Sequence, residues 1–205
     1  LKEKILEAIK KLRENSRKRN FVQSFDLIVN LKDIDLKKPE NRFVESVFLP
    51  NGRGKDAKII LFSDSIKEAE CEILTSEDIV NLSKSKRMAK KIANQTDFFI
   101  AEPQLMPLIG KHLGLYLGPR GKMPKLVTDD VNALIKKLKS SVNIRLKDQP
   151  LIQCSVGNES MKDEEVAENI LAVLKFLEEK LPKGKANIKS IMVKLTMSKP
   201  IKVGV

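Results

Sequence analysis

Pro50-Asn51-Gly52-Arg53-Gly54-Lys55 places one proline and two glycines in six residues. Glycine takes backbone conformations that other residues avoid, and proline lacks an N–H, so neither a helix nor a strand continues comfortably through this stretch. The character of the sequence changes across it. Before it, residues 1–14 repeat apolar side chains at helical spacing (Leu1, Ile5, Ala8, Ile9, Leu12), and the cluster Arg17-Lys18-Arg19 follows. Residues 25–31 and 43–49 alternate as strands, with a turn at Lys37–Asn41 between them.

After the break the pattern is βαβα. Lys58–Phe62 and Asp97–Ala101 read as short buried strands, and Ser141–Lys147 reads as a third strand. Helices are expected at Asp64–Glu70, from a Ser76 cap to Leu82 with a basic continuation over 83–93, from Pro103 to about Leu113, and after a Thr128 cap. Gly114–Lys125 is a long Gly/Pro loop. Asp148-Gln149-Pro150 makes a second break. Beyond it come a strand at 151–156, a helix opened by a Ser160/Asp163 capping pattern and closed by Pro182 and Gly184, and a last strand over 188–197.

The strands at the two ends of the chain need partners, and neither end makes a good sheet alone. Pairing them gives a four-stranded α+β domain, residues 1–54 with 151–205, interrupted by an α/β domain at 55–150. The fold class is therefore a two-domain protein, α+β with an α/β insert.

The 205 residues carry 39 Lys and Arg against 27 Asp and Glu, a net charge of +12. Residues 1–54 hold 13 basic and 8 acidic groups, residues 55–150 hold 17 and 12, and residues 151–205 hold 9 and 7, so the excess is spread over the body. A folded body with that excess favours a polyanion, most commonly nucleic acid. Eight Phe, one Tyr and no Trp give little material for stacking splayed bases, so an RNA partner would be read by shape, backbone and 2′-hydroxyls. No stretch is long and apolar enough to span a membrane. The opening Leu1-Lys2-Glu3-Lys4 starts a charged amphipathic segment rather than a signal peptide, and the missing initiator Met suggests a trimmed start. Two distant cysteines, Cys71 and Cys154, form neither a disulfide framework nor a CxxC zinc site.

Catalytic chemistry finds no foothold. His112 is the sole histidine, and neither Gly54-Lys55 nor Gly121-Lys122 has the first glycine or the following Ser/Thr of a P-loop. No cofactor is expected, and the protein is read as no enzyme; a nucleotide enzyme on the insert is the weakest of three readings. Leu117-Gly118-Pro119-Arg120-Gly121-Lys122-Met123-Pro124 could be a GxxG clamp of the KH type on single-stranded nucleic acid, or a rigid structural loop. Lys194-Leu195-Thr196-Met197-Ser198-Lys199-Pro200 sets hydroxyls, a thioether and a cation at a strand end, all able to meet a sugar or phosphate.

The Leu117–Pro124 loop resembles the most characteristic loop of the ribosomal protein L-one family. In the same order, Arg19-Asn20-Phe21, Ser24-Phe25-Asp26, Lys38–Arg42, Leu49-Pro50, Gly54-Lys55, Val156-Gly157 and Thr196-Met197 agree, and Lys38–Arg42 is of archaeal type. The resemblance spans nearly the whole chain. It implies a discontinuous split βαβ, ferredoxin-like RNA-binding domain interrupted by a Rossmann-like three-layer α/β/α domain, with hinges at Pro50–Lys55 and Lys147–Pro150. It implies a structural protein of the large-subunit stalk, cytoplasmic on the ribosome and a monomer off it. The implied partners are a stem-loop of large-subunit rRNA, exit-site tRNA and an operator in its own mRNA, whose translation it represses.

By the same resemblance the RNA-binding residues are Phe25, Arg145, Ser190, Thr196 and Met197; Ser198 and Lys199 join them by proximity to that pair, and Lys18, Arg19, Arg120 and Lys122 are expected as secondary contacts. Read from the residues alone, Phe25 is a core side chain beside Leu27. Ser198 stands where the family usually has glycine.

Overall fold

The computed structural model describes residues 1–66, 68–127 and 130–203. The chain divides into two compact units, Leu1–Asp56 with Ser140–Val205, and Ala57–Lys139.

The first unit is built on a four-stranded antiparallel sheet. Strand β1 (Ser24–Leu31) lies between β8 (Leu151–Asn158) and β9 (Ile188–Leu195), and β10 (Ile201–Val203) covers the outer edge of β9. β8 and β9 both run antiparallel to β1, so they are parallel to each other with β1 between them. Helix α6 (Asp163–Lys180) connects them. In β1 buried and half-buried residues alternate, with Phe25, Leu27, Val29 and Leu31 inward. That inward face meets Ile5, Ile9 and Leu12 of α1 (Lys2–Asn15) and Val166, Ile170, Val173 and Leu177 of α6 in one core. Each such buried aliphatic or aromatic side chain contributes about 1.5–3 kcal/mol relative to exposure.

Strand β2 (Phe43–Phe48) does not join that sheet. It pairs with β7 (Ser141–Leu146) as a separate two-stranded ribbon. The sequence reading gave β7 to the insert and extended the insert to residue 150; the second unit instead ends at Lys139, because the inward residues Val142, Ile144 and Leu146 are buried in the first unit's core. The fourth strand of the main sheet is β10, which three residues made illegible.

The break at 50–54 is anchored rather than loose. Gly52 and Gly54 have φ of 63° and 72°, where glycine is favoured. The buried Asn169 amide donates to the carbonyls of Gly52 and Val156, at 2.7 and 2.8 Å, while its Oδ1 accepts the Asn51 N–H.

In the second unit, a parallel sheet runs in the order β4 (Glu72–Leu74), β3 (Ile59–Phe62), β5 (Phe98–Ala101) and β6 (Lys125–Leu126). β3 and β5 are buried throughout, as strands covered on both faces must be. Ile60, Phe62, Phe99 and Ala101 face one core cluster, with α2 (Ser76–Lys84), α3 (Lys86–Gln95) and α4 (Met106–Leu117). Ile59, Leu61, Phe98 and Ile100 face the other, with α5 (Val131–Lys139).

Several expected boundaries shift for local reasons. No helix forms at Asp64–Glu70 among the described residues. Thr75, not Ser76, caps α2 in a reciprocal box with Asp78. The basic continuation is a separate helix, because Ser85 ends α2 and caps α3. Pro103 opens a 3-10 turn, and α4 runs on to Leu117, past the expected loop start. The Thr128 cap lies outside the described residues; Asp130 accepts the Ala133 N–H at 3.0 Å. The Ser160 capping pattern is replaced by Glu165 accepting the Lys162 N–H at 3.1 Å. The last strand stops at Leu195, and residues 196–198 turn.

Candidate nucleic-acid interface

The turn after β9 is held by its own hydroxyls. Ser198 N–H donates to the Leu195 carbonyl at 3.0 Å, and Ser198 Oγ accepts the Leu195 N–H at 2.8 Å. Thr196 ties the turn to β1: its Oγ1 accepts the Ser24 N–H at 3.0 Å and its N–H donates to the Ser24 carbonyl. Ser198 thus closes the turn, and Met197 is left 60% exposed at its tip.

This turn faces the end of α1. Leu12, Asn15, Ser16, Arg17, Arg19 and Gln23 form one wall of a groove, and Met197, Ser198, Lys199 and Ile201 form the other, around about 540 Å³. The walls are separated by more than 170 residues of chain, and the pairing of β1 with β9 brings them together. Arg17, Arg19 and Lys199 are exposed and form no ion pair among the described residues, so the groove presents three unneutralised cations. By contrast Arg13, beside them on α1, is engaged: it donates to Asp163 at 2.6 Å and to the carbonyls of Glu159 and Met161.

The structure brings together Arg19, Met197, Ser198 and Lys199 of the expected site residues, with Thr196 behind the turn and Lys18 exposed in the adjoining loop. Ser190 is on the same strand, six residues away and accepting the Asn30 amide at 2.8 Å, about 20 Å along the strand. Arg145 is exposed on β7, with Asp148 at 3.5 Å, and does not line the groove.

Phe25 is corrected. It is 0% exposed, its ring lies under the Arg13 guanidinium at 5.2 Å, and strand parity turns it inward with Leu27. A surface aromatic, Phe21, lies four residues earlier, 51% exposed and next to Val22 at 60%. Phe21 belongs to the Arg19-Asn20-Phe21 motif, but only the position of the strand start shows that it faces out. Arg17 and Gln23 were also missed as groove residues. Arg17 belongs to a basic run that was visible; a single Gln gives no sequence signal.

The Gly118–Gly121 loop is tied to its own unit. Lys122 donates to the carbonyls of Ala93 and Thr96, at 3.0 and 2.6 Å, and so closes the last turn of α3. Burial pushes its amine below the ordinary lysine pKa. Arg120 donates to Asn94 and to the Tyr116 carbonyl. Gly121 sits at φ 65°, and a Cβ on Gly118 would meet the Gly114 carbonyl oxygen at 2.9 Å. Both cations therefore face their own unit, which removes the grip that a KH-type clamp needs.

The crevice where β3 and β5 end, between strands whose connections leave in opposite directions, is the usual nucleotide seat of an open parallel sheet. Here Glu102 fills it, accepting from Ser63 Oγ at 2.6 Å, Ser65 Oγ at 2.8 Å and the Asp64 N–H at 3.4 Å. Burial opposes its ionisation, but these donors outweigh it and hold the carboxyl below its usual range. A carboxylate in that position repels phosphate. Among the described residues no group of three His, Cys, Asp or Glu could hold a metal ion, and no helix is long and apolar enough to cross a membrane.

A basic groove edged by hydroxyls and a thioether, on a fold whose parallel-sheet crevice is blocked, defines a polyanion-binding protein of the nucleic-acid-binding class. Comparison with known proteins makes that specific. The model of the Ribosomal protein L1p/L10e family matches residues 10–199. Large ribosomal subunit protein uL1 of Methanothermobacter thermautotrophicus is 47% identical over 211 residues, covering 99% of this chain and all of that protein. Its counterparts in Methanothermococcus thermolithotrophicus and Pyrococcus horikoshii are 48% and 47% identical, each covering 98% of this chain and 98% and 96% of their own. The chain belongs to the ribosomal protein L1p/L10e family, in its archaeal branch. It is a structural RNA-binding protein of the large ribosomal subunit and not an enzyme.

Proposed function

We propose that this chain holds the rRNA stem-loop of the large-subunit stalk in the groove between the α1 exit and the 196–199 turn. In this reading it works on the ribosome in the cytoplasm, assists release of deacylated tRNA from the exit site, and represses its own mRNA through an operator of similar shape. Off the ribosome it is a monomer. The first unit is then the split βαβ, ferredoxin-like RNA-binding domain of the family, supported by β8 and β9 running parallel about β1. The second is the Rossmann-like insert, supported by a parallel sheet with core on both faces.

The observation that carries the reading is the convergence of three unpaired cations and the Met197 turn from opposite ends of the chain. Arg17, Arg19 and Lys199 neutralise phosphates, Met197 lies against a sugar or base face, and the exposed Phe21 ring takes the aromatic role expected of Phe25. Met197→Ala should leave thermal stability within about 0.5 kcal/mol, since the side chain is exposed, and weaken rRNA binding by about 1–3 kcal/mol. Three phosphate contacts alone should lower affinity ~40-fold between 50 and 200 mM salt. Replacing the three cations together by Gln should remove that share of the salt dependence. Wild-type affinity in the Met197 variant, or an unchanged salt slope in the triple variant, would place the RNA elsewhere.

A further inference from the structure

The most buried polar residue of the groove is Gln23, 1% exposed, between the basic loop and β1. Its backbone is fully paired: the N–H donates to Glu159 Oε2 at 3.3 Å and the carbonyl accepts the Glu159 N–H at 2.8 Å. Its side-chain oxygen accepts the Met197 N–H at 3.2 Å. Because a backbone N–H can only donate, that bond fixes which end of the amide faces the turn. Nε2 is thereby turned away from the turn. It is buried and has no partner. An amide that keeps its N–H bonds unmade under burial carries an uncompensated desolvation cost, which a bound acceptor would remove.

The surroundings determine which acceptor fits. Arg17, Arg19 and Lys199 line the same groove and form no ion pair among the described residues. An oxygen brought to Gln23 therefore enters a positive field, which favours an anionic oxygen over a neutral carbonyl. The groove of about 540 Å³ has room for a phosphodiester with its ribose.

We propose that Gln23 is a specificity-determining contact, its Nε2 donating to a non-bridging oxygen of one RNA phosphate seated among Arg17, Arg19 and Lys199. This rests on the rRNA-binding reading above and adds a defined subsite to it. The same side chain that props the Met197 turn through its oxygen reads the backbone through its nitrogen. The turn's position and the phosphate's position are therefore set by one rigid amide. A surface lysine can follow a displaced phosphate; a buried amide cannot.

Phosphate-ethylation interference tests this, using a large-subunit rRNA transcript of the same organism, partially ethylated, with wild type, Gln23→Met and Gln23→Glu. Gln23→Met should lose interference at one phosphate, keep it at the others, and bind about tenfold more weakly. Gln23→Glu retains an oxygen for the Met197 N–H but sets a second oxygen at the subsite; it should lose the same phosphate and about a hundredfold in affinity. An interference pattern identical to wild type in both variants, at any affinity, would show that Gln23 only supports the turn and would overturn the proposal. A wild-type protein that failed to bind the transcript would sink the rRNA reading itself, a different result. Should the melts show that the variants do not fold, the side-chain amide signal of Gln23 in isotopically labelled wild type decides: a downfield shift with slowed exchange on adding RNA supports the contact, and an unmoved signal refutes it.

Discussion

Lys122→Met separates the two roles open to the Gly118–Gly121 loop. The amine is half-buried and gives hydrogen bonds of 3.0 and 2.6 Å to the Ala93 and Thr96 carbonyls. A hydrogen bond from a charged donor contributes about 1.5–3 kcal/mol, so two bonds set an upper bound of about 3–6 kcal/mol. Two effects reduce it. Water reaches part of the amine, and burial already lowers its pKa, so the charge is held at a cost that Met does not incur. A net loss of about 2 kcal/mol remains. For a protein of this length that corresponds to a fall in Tm of about 4–8 °C. Calorimetric melts give the stability, and filter binding to a large-subunit rRNA fragment gives the affinity, which should change less than twofold. An unchanged Tm together with a tenfold or greater loss of RNA binding would refute the reasoning and return Lys122 to the RNA-contact role that the family resemblance implies.

Three further substitutions extend the test. Phe21→Ala should weaken rRNA binding by about 1–3 kcal/mol if its ring stacks on RNA, with little change in Tm, whereas Phe25→Ala should cost about 3–5 kcal/mol of stability by opening a cavity under Arg13; equal effects on both properties would undo the exchange of roles. Asp26→Asn should raise Tm at neutral pH. Burial raises the Asp26 carboxyl above its ordinary pKa, against the pull of Lys194. A raised carboxyl destabilises the fold once ionised, so the variant's advantage is full above the folded-state pKa and vanishes as pH falls through the unfolded-state value. A gain that persisted in strong acid, read by melts across pH, would exclude ionisation as its source.

Long periodic segments were legible. The apolar repeat of α1, the alternation of β1 and the apolar face of α6 all gave their elements, and the need for partners at both chain ends gave the discontinuous sheet. Elements of two or three residues, β4, β6 and β10, were not legible, because no period can be expressed in so short a span. β7 was seen as a strand but given to the wrong unit, since pattern shows that a face is buried and not against what. The same limit governed the site. Composition and the Thr196–Lys199 motif pointed to one wall of the groove, and Arg17–Arg19 was visible as a basic run. That the two meet depends on the register of β1 against β9, with Phe25 opposite Leu195. The start of β1 at Ser24 then decided between the two phenylalanines, Phe25 inside the strand and Phe21 before it, and the unpaired amide of Gln23 exists only once the turn is in place.

The register that unites the two walls also orders events during synthesis. Ala57–Lys139 can complete its own contacts while β1 still lacks both neighbours, for β8 and β9 come from residues 151–195. At about 5–20 residues per second, the 56 residues from Lys139 to the end of β9 at Leu195 delay closure by roughly 3–11 s. During that interval Phe25, Leu27 and Val29 are without their cover, an opening for chaperones or for misassociation between nascent chains. A prematurely terminated polypeptide would also lack the 196–199 wall, so incomplete products would be without the groove that the proposed RNA contact needs.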